Sequence, residues 1–303
     1  MADIRYDDKV AIVTGAGGGL GKAHALLLAS RGASVVVNDL GGNPDGTGAG
    51  HTMAEIACKE IEALGGKAVP NYDSVATPEG GENIVKTALD SFGRVDIVIN
   101  NAGILRDKSF ANLSNEELEI VLDVHLKGAF YVSQPAFRAM KQQQYGRFVF
   151  TASAAGVFGN FGQTNYGAAK MGLVGLSNVV AIEGQKYNIN SNVIAPIAKT
   201  RLTEQLLGPL GDKLQPEQIA GLVAYLVSEE CTLSHEIFTV GGGRIARIFV
   251  GLGPGWFDKQ DGIPSPEEVR DNLDAIMSTE NFTIPKSAQD ELMQLAPLMS
   301  QGS

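Results

Sequence analysis

Two cysteines, Cys58 and Cys231, are the only thiols in this chain of 303 residues. They lie far apart and outside any C-x-x-C spacing, which excludes a disulfide framework and a zinc site, and the pattern suits a reducing compartment. Basic residues are also in short supply. Lys and Arg number 24 against 34 Asp and Glu, for a formal charge of −10, so the dense basic surface that nucleic acid or an anionic membrane requires is missing. Any anionic ligand must therefore be held by local groups. No apolar stretch approaches the roughly 18 residues of a membrane span, so no membrane insertion is expected. The acidic start, Asp3 through Asp8, lacks the cationic head and apolar run of an export signal. The end, Ser300-Gln301-Gly302-Ser303, is not a Ser-Lys-Leu peroxisomal address. A cytoplasmic setting is the expectation. Internal repeats and low-complexity tracts are absent as well.

What is present is material for one large core, with 44% hydrophobic and 19% charged residues. Short apolar runs rich in β-branched residues alternate with longer helical patterns. That alternation predicts a doubly wound Rossmann α/β fold, a parallel sheet with helices on both faces. Seven strands are read at Val10 to Thr14, Ser34 to Asn38, Ala68 to Tyr72, Ile97 to Asn100, Arg147 to Thr151, Asn192 to Ile194 and Ile237 to Val240. Ser114-Asn115-Glu116-Glu117 is a capping box, whose hydroxyl and carboxylate each satisfy a free backbone N–H at a helix start. Two segments exceed a minimal domain of this kind. Gly41 to His51 is a glycine-rich loop after the second strand, and residues 244–303 form a tail beyond a catalytic domain spanning 1–243. Within the tail, Ser265-Pro266-Glu267-Glu268 joins an N-cap, a proline at the first helical position and a box glutamate, so a docked helical extension is expected.

After the first predicted strand the spacing is Gly15-x-x-x-Gly19-x-Gly21, with Leu20 inside it; G-x-G-x-x-G occurs nowhere. Glycines between a strand and a helix let backbone N–H groups meet a pyrophosphate at the positive end of the helix dipole. Asp39 ends the second strand about 24 residues after Gly15. A carboxylate there accepts hydrogen bonds from ribose hydroxyls and repels a 2′-phosphate, so NAD is preferred to NADP. Asp73, Ser74 and Val75 follow the third strand and are expected to edge the adenine. Asn100, Asn101, Ala102 and Gly103 end the fourth at the crevice where such sheets bind ligands.

Ser153, Tyr166 and Lys170 carry the chemistry. Oxidising an alcohol needs a base for the hydroxyl proton, and a phenol with a pKa of about 10 is a poor one unless a cation favours its ionised form. Lys170 stands four residues after Tyr166, on the same helix face, and no other of the seven tyrosines has such a partner. Ser153 follows the fifth strand, where its hydroxyl is expected to bind the substrate oxygen. An NAD-sensing regulator with a spent site is disfavoured by the presence of all three. The glycine spacing is also wrong for an extended sugar-nucleotide epimerase.

With these residues in view, the sequence resembles the short-chain dehydrogenases/reductases. Within that superfamily it is most similar to the (3R)-hydroxyacyl-CoA dehydrogenase part of the type 2 peroxisomal multifunctional enzymes, some of which also act as 17β-hydroxysteroid dehydrogenases. The likeness rests on Val37 to Gly42, Asn71 to Val75, Asn100 to Phe110, Tyr145 to Arg147, Gly159 to Gln163, Ala181 to Gly184 and Ile194 to Pro196, and extends into the tail. The resemblance implies Tyr166 as general acid/base, Lys170 on the nicotinamide ribose, Ser153 orienting substrate, and backbone from Pro196 through Ile197 and Ala198 to Thr200 holding the carboxamide. It implies oxidation of a (3R)-hydroxyacyl-CoA by NAD, with a free 17β-hydroxysteroid or a 3-oxoacyl-carrier-protein as rival substrates. A homodimer or dimer of dimers, with the Tyr166 helix at the interface, is implied too. Arg106 and Lys108 are placed to meet the phosphates of coenzyme A. Two departures stand out. His125 occupies a place where many members have an asparagine that helps a proton relay, and Ile197-Ala198-Lys199 stands where a glycine is common. The hydratase and sterol-carrier regions of the multifunctional enzymes do not appear, so a free-standing dehydrogenase is expected.

Overall fold

In the computed structural model, which describes residues 3–43, 45–199, 208–258 and 262–300, the apolar β-branched runs pair side by side. Their order in the sheet is β3-β2-β1-β4-β5-β6-β7-β8. The strands are β1 (Val10–Thr14), β2 (Ser34–Asn38), β3 (Lys67–Asn71), β4 (Ile97–Asn100), β5 (Gly146–Thr151), β6 (Ile189–Pro196), β7 (Glu236–Gly241) and β8 (Arg244–Ile248). The first seven are parallel, with Ala11 set between Val35 of β2 and Ile97 of β4. Every residue of β1, β4 and β5 is buried. A strand covered on both faces reads as a continuous apolar run, the signal that exposed these strands in the sequence.

The eighth strand departs from the seven expected. It returns antiparallel beside β7 through Gly242 and Gly243, both at positive φ, where glycine alone turns without steric cost.

Helices cover both faces: α1 (Gly19–Ser30), α2 (Thr52–Ala63), α3 (Pro78–Phe92), α4 (Asn115–Leu122), α5 (Gly128–Gln143), the single turn α6 (Ala154–Val157) and α7 (Thr164–Gly184). Their ends follow local chemistry. Thr77 caps α3 by accepting from the Gly80 N–H at 3.1 Å, Pro78 opens the helix, and Gly93 closes it at φ 77. The box at Ser114 and Glu117 forms in both directions. Between α4 and α5 the backbone widens into a π turn, Asp123–Lys127, with His125 at its centre.

The chain parts into two compact units, Met1–Arg247 and Ile248–Ser303. In the second, Ser265 and Glu268 form their capping box at the start of the helix Pro266–Asp271. Phe249 stacks on Phe282 at 5.4 Å beside a Leu252–Thr283 bridge.

The sheet order reverses between β1 and β4. At such a switch point the loops leaving the C-terminal ends of the strands diverge and open a crevice, and here it is a cavity of about 630 Å³.

Candidate active site

The floor of the cavity is made by the turn from β1 into α1. Gly15 sits at φ +65, and a Cβ on it would lie 2.9 Å from the Ala102 Cα. A Cβ on Gly21 would lie 2.2 Å from the Gly15 carbonyl. These glycines therefore let the turn into α1 lie directly against the loop after β4. Gly18 caps α1 without a side-chain bond, and Gly19 and Leu20 line the cavity. The opening amides of a helix have no intrahelical partner, so they are available to an anion.

Asp39 is buried at the end of β2. Its Oδ2 accepts from the Gly17 N–H and its Oδ1 from the Gly41 N–H, each at 2.7 Å. The carboxylate thus ties the glycine turn to the start of the glycine-rich loop, and its remaining lone pairs can take hydroxyl donors. Gly17 is a residue that the sequence reading passed over. A Cβ there would reach within 2.7 Å of Asp39 Oδ2, and the only sequence signal is its place in the glycine run.

Asp73 accepts from Asn71 Nδ2 at 2.8 Å and Asn83 Nδ2 at 3.2 Å, while its carbonyl accepts from Asn38 Nδ2 at 2.9 Å. Asp73, Ser74 and Val75 all line the cavity, as do Ala102 and Gly103. Asn100 turns the other way. Its amide donates to Ser133 Oγ at 2.9 Å, and Asn101 lines the cavity instead, donating to the Thr14 carbonyl at 3.0 Å and the Gly15 carbonyl at 3.2 Å. Pro196 and Ala198 line the cavity. Ile197 is held by its N–H to the Val240 carbonyl at 2.8 Å, and Lys199 pairs with Asp212 at 2.8 Å. Thr200 lies outside the described residues.

The opposite wall brings Ser153, Tyr166, Lys170 and His125 together. Ser153 caps α6, accepting from the Ala155 N–H at 3.2 Å. Lys170 is buried and donates to the Thr151 carbonyl at 2.6 Å, with Nζ 5.4 Å above the Tyr166 ring. His125 meets the same ring edge-on at 5.1 Å. Its Nε2 lies 2.7 Å from the Ile104 carbonyl and 3.0 Å from the Ile104 N–H, and its buried Nδ1 has no partner among the described residues.

Burial governs the proton affinities here. It pushes the Tyr166 phenol up to about 12, with the nearby Asp107 carboxylate adding to the rise and a hydrogen bond with Ser153 opposing it. It pulls the Lys170 ammonium down to about 7. His125 is driven well below the usual imidazole range by burial and by Lys170, so it is neutral. In the protein alone, desolvation favours the neutral form of each.

The cavity also has an apolar side, formed by Ile104, Leu105, Ile120, Val124 and Phe158. Arg106 and Lys108, expected to meet phosphates, do not line it.

The short-chain dehydrogenase family model matches this chain over residues 9–207. The chain belongs to the short-chain dehydrogenases/reductases. It is 50% identical to the peroxisomal multifunctional enzyme type 2 of Mus musculus over 95% of its own length, and spans 39% of that enzyme. The full-length peroxisomal multifunctional enzyme type 2 of Drosophila melanogaster superposes with a TM-score of 0.83 at 37% identity, over 98% of this chain and 50% of that one. A 7α-hydroxysteroid dehydrogenase complexed with NADH and 7-oxo glycochenodeoxycholic acid superposes with a TM-score of 0.72 at 29% identity, over 80% of this chain and 98% of that one. This short-chain dehydrogenase is therefore an oxidoreductase that works with a nicotinamide dinucleotide. Among the described residues no cluster of metal-ligating side chains occurs, and no helix is long and apolar enough to cross a membrane.

Proposed function

We propose that the chain oxidises a (3R)-hydroxyacyl-CoA to the 3-oxoacyl-CoA with NAD, the acyl group being a fatty chain or a steroid side chain. The observation that carries this reading is the cavity itself. Its polar wall of Ser153, Tyr166 and Lys170 faces the glycine turn and Asp39, and its apolar side suits an acyl group.

The residues present fit a dinucleotide. The amides of Gly19 and Leu20 would hold its pyrophosphate, Asp39 its adenosine ribose, Asp73 and Val75 the edge of its adenine, and the backbone at Pro196 and Ala198 its carboxamide. Lys170 would hold the second ribose. When bound, the nicotinamide supplies the hydride acceptor. Asp39 supports NAD over NADP, since a carboxylate buried at the ribose position repels a 2′-phosphate and two amides fix it there.

In the proposed reaction Ser153 donates a hydrogen bond to the substrate oxygen and Tyr166 takes the hydroxyl proton as hydride leaves the carbon. His125, edge-on to the Tyr166 ring at 5.1 Å, and Lys170, with Nζ 5.4 Å from the ring centre, are the neighbours proposed to relay the proton from the phenol. Met171, Val179 and Ile182 of α7 and Phe130 of α5 are exposed apolar residues, which supports a homodimer, or a dimer of dimers, formed through these helices. The two buried free thiols suit a cytoplasmic setting.

The test is a panel of initial rates of reduced-cofactor formation. We expect (3R)-hydroxyacyl-CoA with NAD to exceed its (3S) epimer, oestradiol and testosterone, and to exceed the same substrate with NADP, by at least about tenfold. Faster turnover of the free steroids, or of the phosphorylated cofactor, overturns the reading.

A further inference from the structure

We propose that Asp107 is a positioning residue for Tyr166: through Gln163 it pins the loop after β4 to the first turn of α7, and it stations a negative charge beside the phenol. The proposal rests on the reading of Tyr166 as the acid/base.

Gln163 occupies the N-cap position of α7 but makes no side-chain cap. Its buried amide is used sideways instead. Nε2 donates to Asp107 Oδ2 and Oε1 accepts from Asn160 Nδ2, both at 2.8 Å. Beside this bond the backbones of Lys108 and Gln163 form a bridge. Two residues on, the buried Asn165 amide donates to the Arg106 and Glu117 carbonyls at 3.0 Å, and its Oδ1 accepts from the Tyr166 N–H at 2.8 Å. The loop and the turn that carries Tyr166 are stitched together at three neighbouring points, so they move as one.

A neutral side chain at 107 would serve as a stitch equally well. The charge does something more. Around Tyr166 stand Lys170 from its own helix, His125 edge-on from the π turn, Ser153 from the start of α6 and Asp107, held by Gln163 three residues before the phenol, while Ile120 and Leu122 of α4 pack in the same apolar cluster as the Tyr166 ring. Lys170 is pulled toward its neutral form by burial and His125 is neutral, which leaves Asp107 as the carboxylate acting on Tyr166. A negative charge there holds the proton on the phenol, the form that donates to a carbonyl, and makes oxidation depend on alkaline pH. Asp107 is itself raised by burial, with the Gln163 bond opposing that rise.

The test uses the full chain labelled with 13C at the tyrosine Cζ, with Tyr166→Phe identifying the resonance, and follows the phenol by NMR titration. Asp107→Asn keeps an acceptor for Gln163 and removes the charge. The Tyr166 midpoint is expected to fall by about one unit, and the pH profile of oxidation to move with it, while KM stays within about twofold. Asp107→Glu should restore the original midpoint. Gln163→Leu, which releases the carboxylate without removing it, should lower the midpoint in part. An unmoved midpoint in Asp107→Asn overturns the proposal, and if that variant does not fold, an unmoved midpoint in Gln163→Leu does so. A midpoint that moves while the oxidation profile stays fixed supports the electrostatic role of Asp107 and refutes Tyr166 as the base.

Discussion

The two rims of the sheet treat buried charge in opposite ways. At the N-terminal rim Asp96 is fully buried and well served, accepting from the Val10 N–H at 2.9 Å and from Arg94 Nε at 2.8 Å. Nearby, buried Arg147 donates to the Gly146 and Asn188 carbonyls at 2.8 Å, and the Tyr145 ring lies between Lys9 and Arg147, each 4.3 Å from its centre. At the C-terminal rim Lys170 is as deeply buried and, among the described residues, has one carbonyl acceptor, while His125 Nδ1 and Thr151 Oγ1 have no partner there. A buried charge that is fully bonded fixes strands in register. One that is sparsely bonded stays ready to exchange protons, at a cost in stability.

Three variants sharpen this contrast. Tyr166→Phe should lower kcat by about 10³-fold or more, the scale of a lost general acid/base, with cofactor affinity and melting temperature nearly unchanged. Retained turnover would show that the wall near β5 is not the reaction centre. Asp96→Ala should do the reverse, destabilising the fold by about 2 to 3 kcal/mol in urea unfolding because the Val10 N–H and Arg94 lose a charged acceptor, while kcat per folded molecule is preserved. A variant as stable as the parent would mean the lower rim is no anchor.

The smallest change in stability is expected from Lys170→Met, which should stabilise the protein by about 1 kcal/mol at neutral pH although it removes activity as Tyr166→Phe does. The sign follows from the buried ammonium. Its folded pKa of about 7 lies below the unfolded value of about 10.4, so the parent carries its full penalty below pH 7 and loses it as pH rises toward 10.4. The advantage of methionine should therefore shrink across that range. An advantage that does not change with pH would show that Lys170 is no burden to the fold.

Strands β1, β4 and β5 were legible because burial on both faces leaves an apolar run, the partly buried β3 and β7 through short β-branched or aromatic stretches between helical patterns, and both capping boxes because their chemistry is local. β8 was hidden. Arg244 to Ile248 is partly exposed and carries two arginines, so neither a buried run nor a clean alternation marks it. Ser153, Tyr166 and Lys170 were found through their spacing, since one turn of α7 and one strand end fix where they meet. The proton affinities were not, because they depend on how much water the fold removes. The π turn around His125 was equally out of reach, being a matter of backbone hydrogen bonding between α4 and α5 that no residue type announces. The side of β4 on which Asn100 ends and the bond between Asp107 and Gln163, 56 residues apart, are likewise products of the assembled fold.

A Cβ at Gly103 would stand 2.3 Å from Cε1 of His125. With the imidazole in place, position 103 accepts no side chain, although nothing in the 103 backbone itself demands glycine. Positions 103 and 125 are therefore coupled by space: with the ring in this place a side chain at 103 cannot be seated, and room there opens only as the ring withdraws.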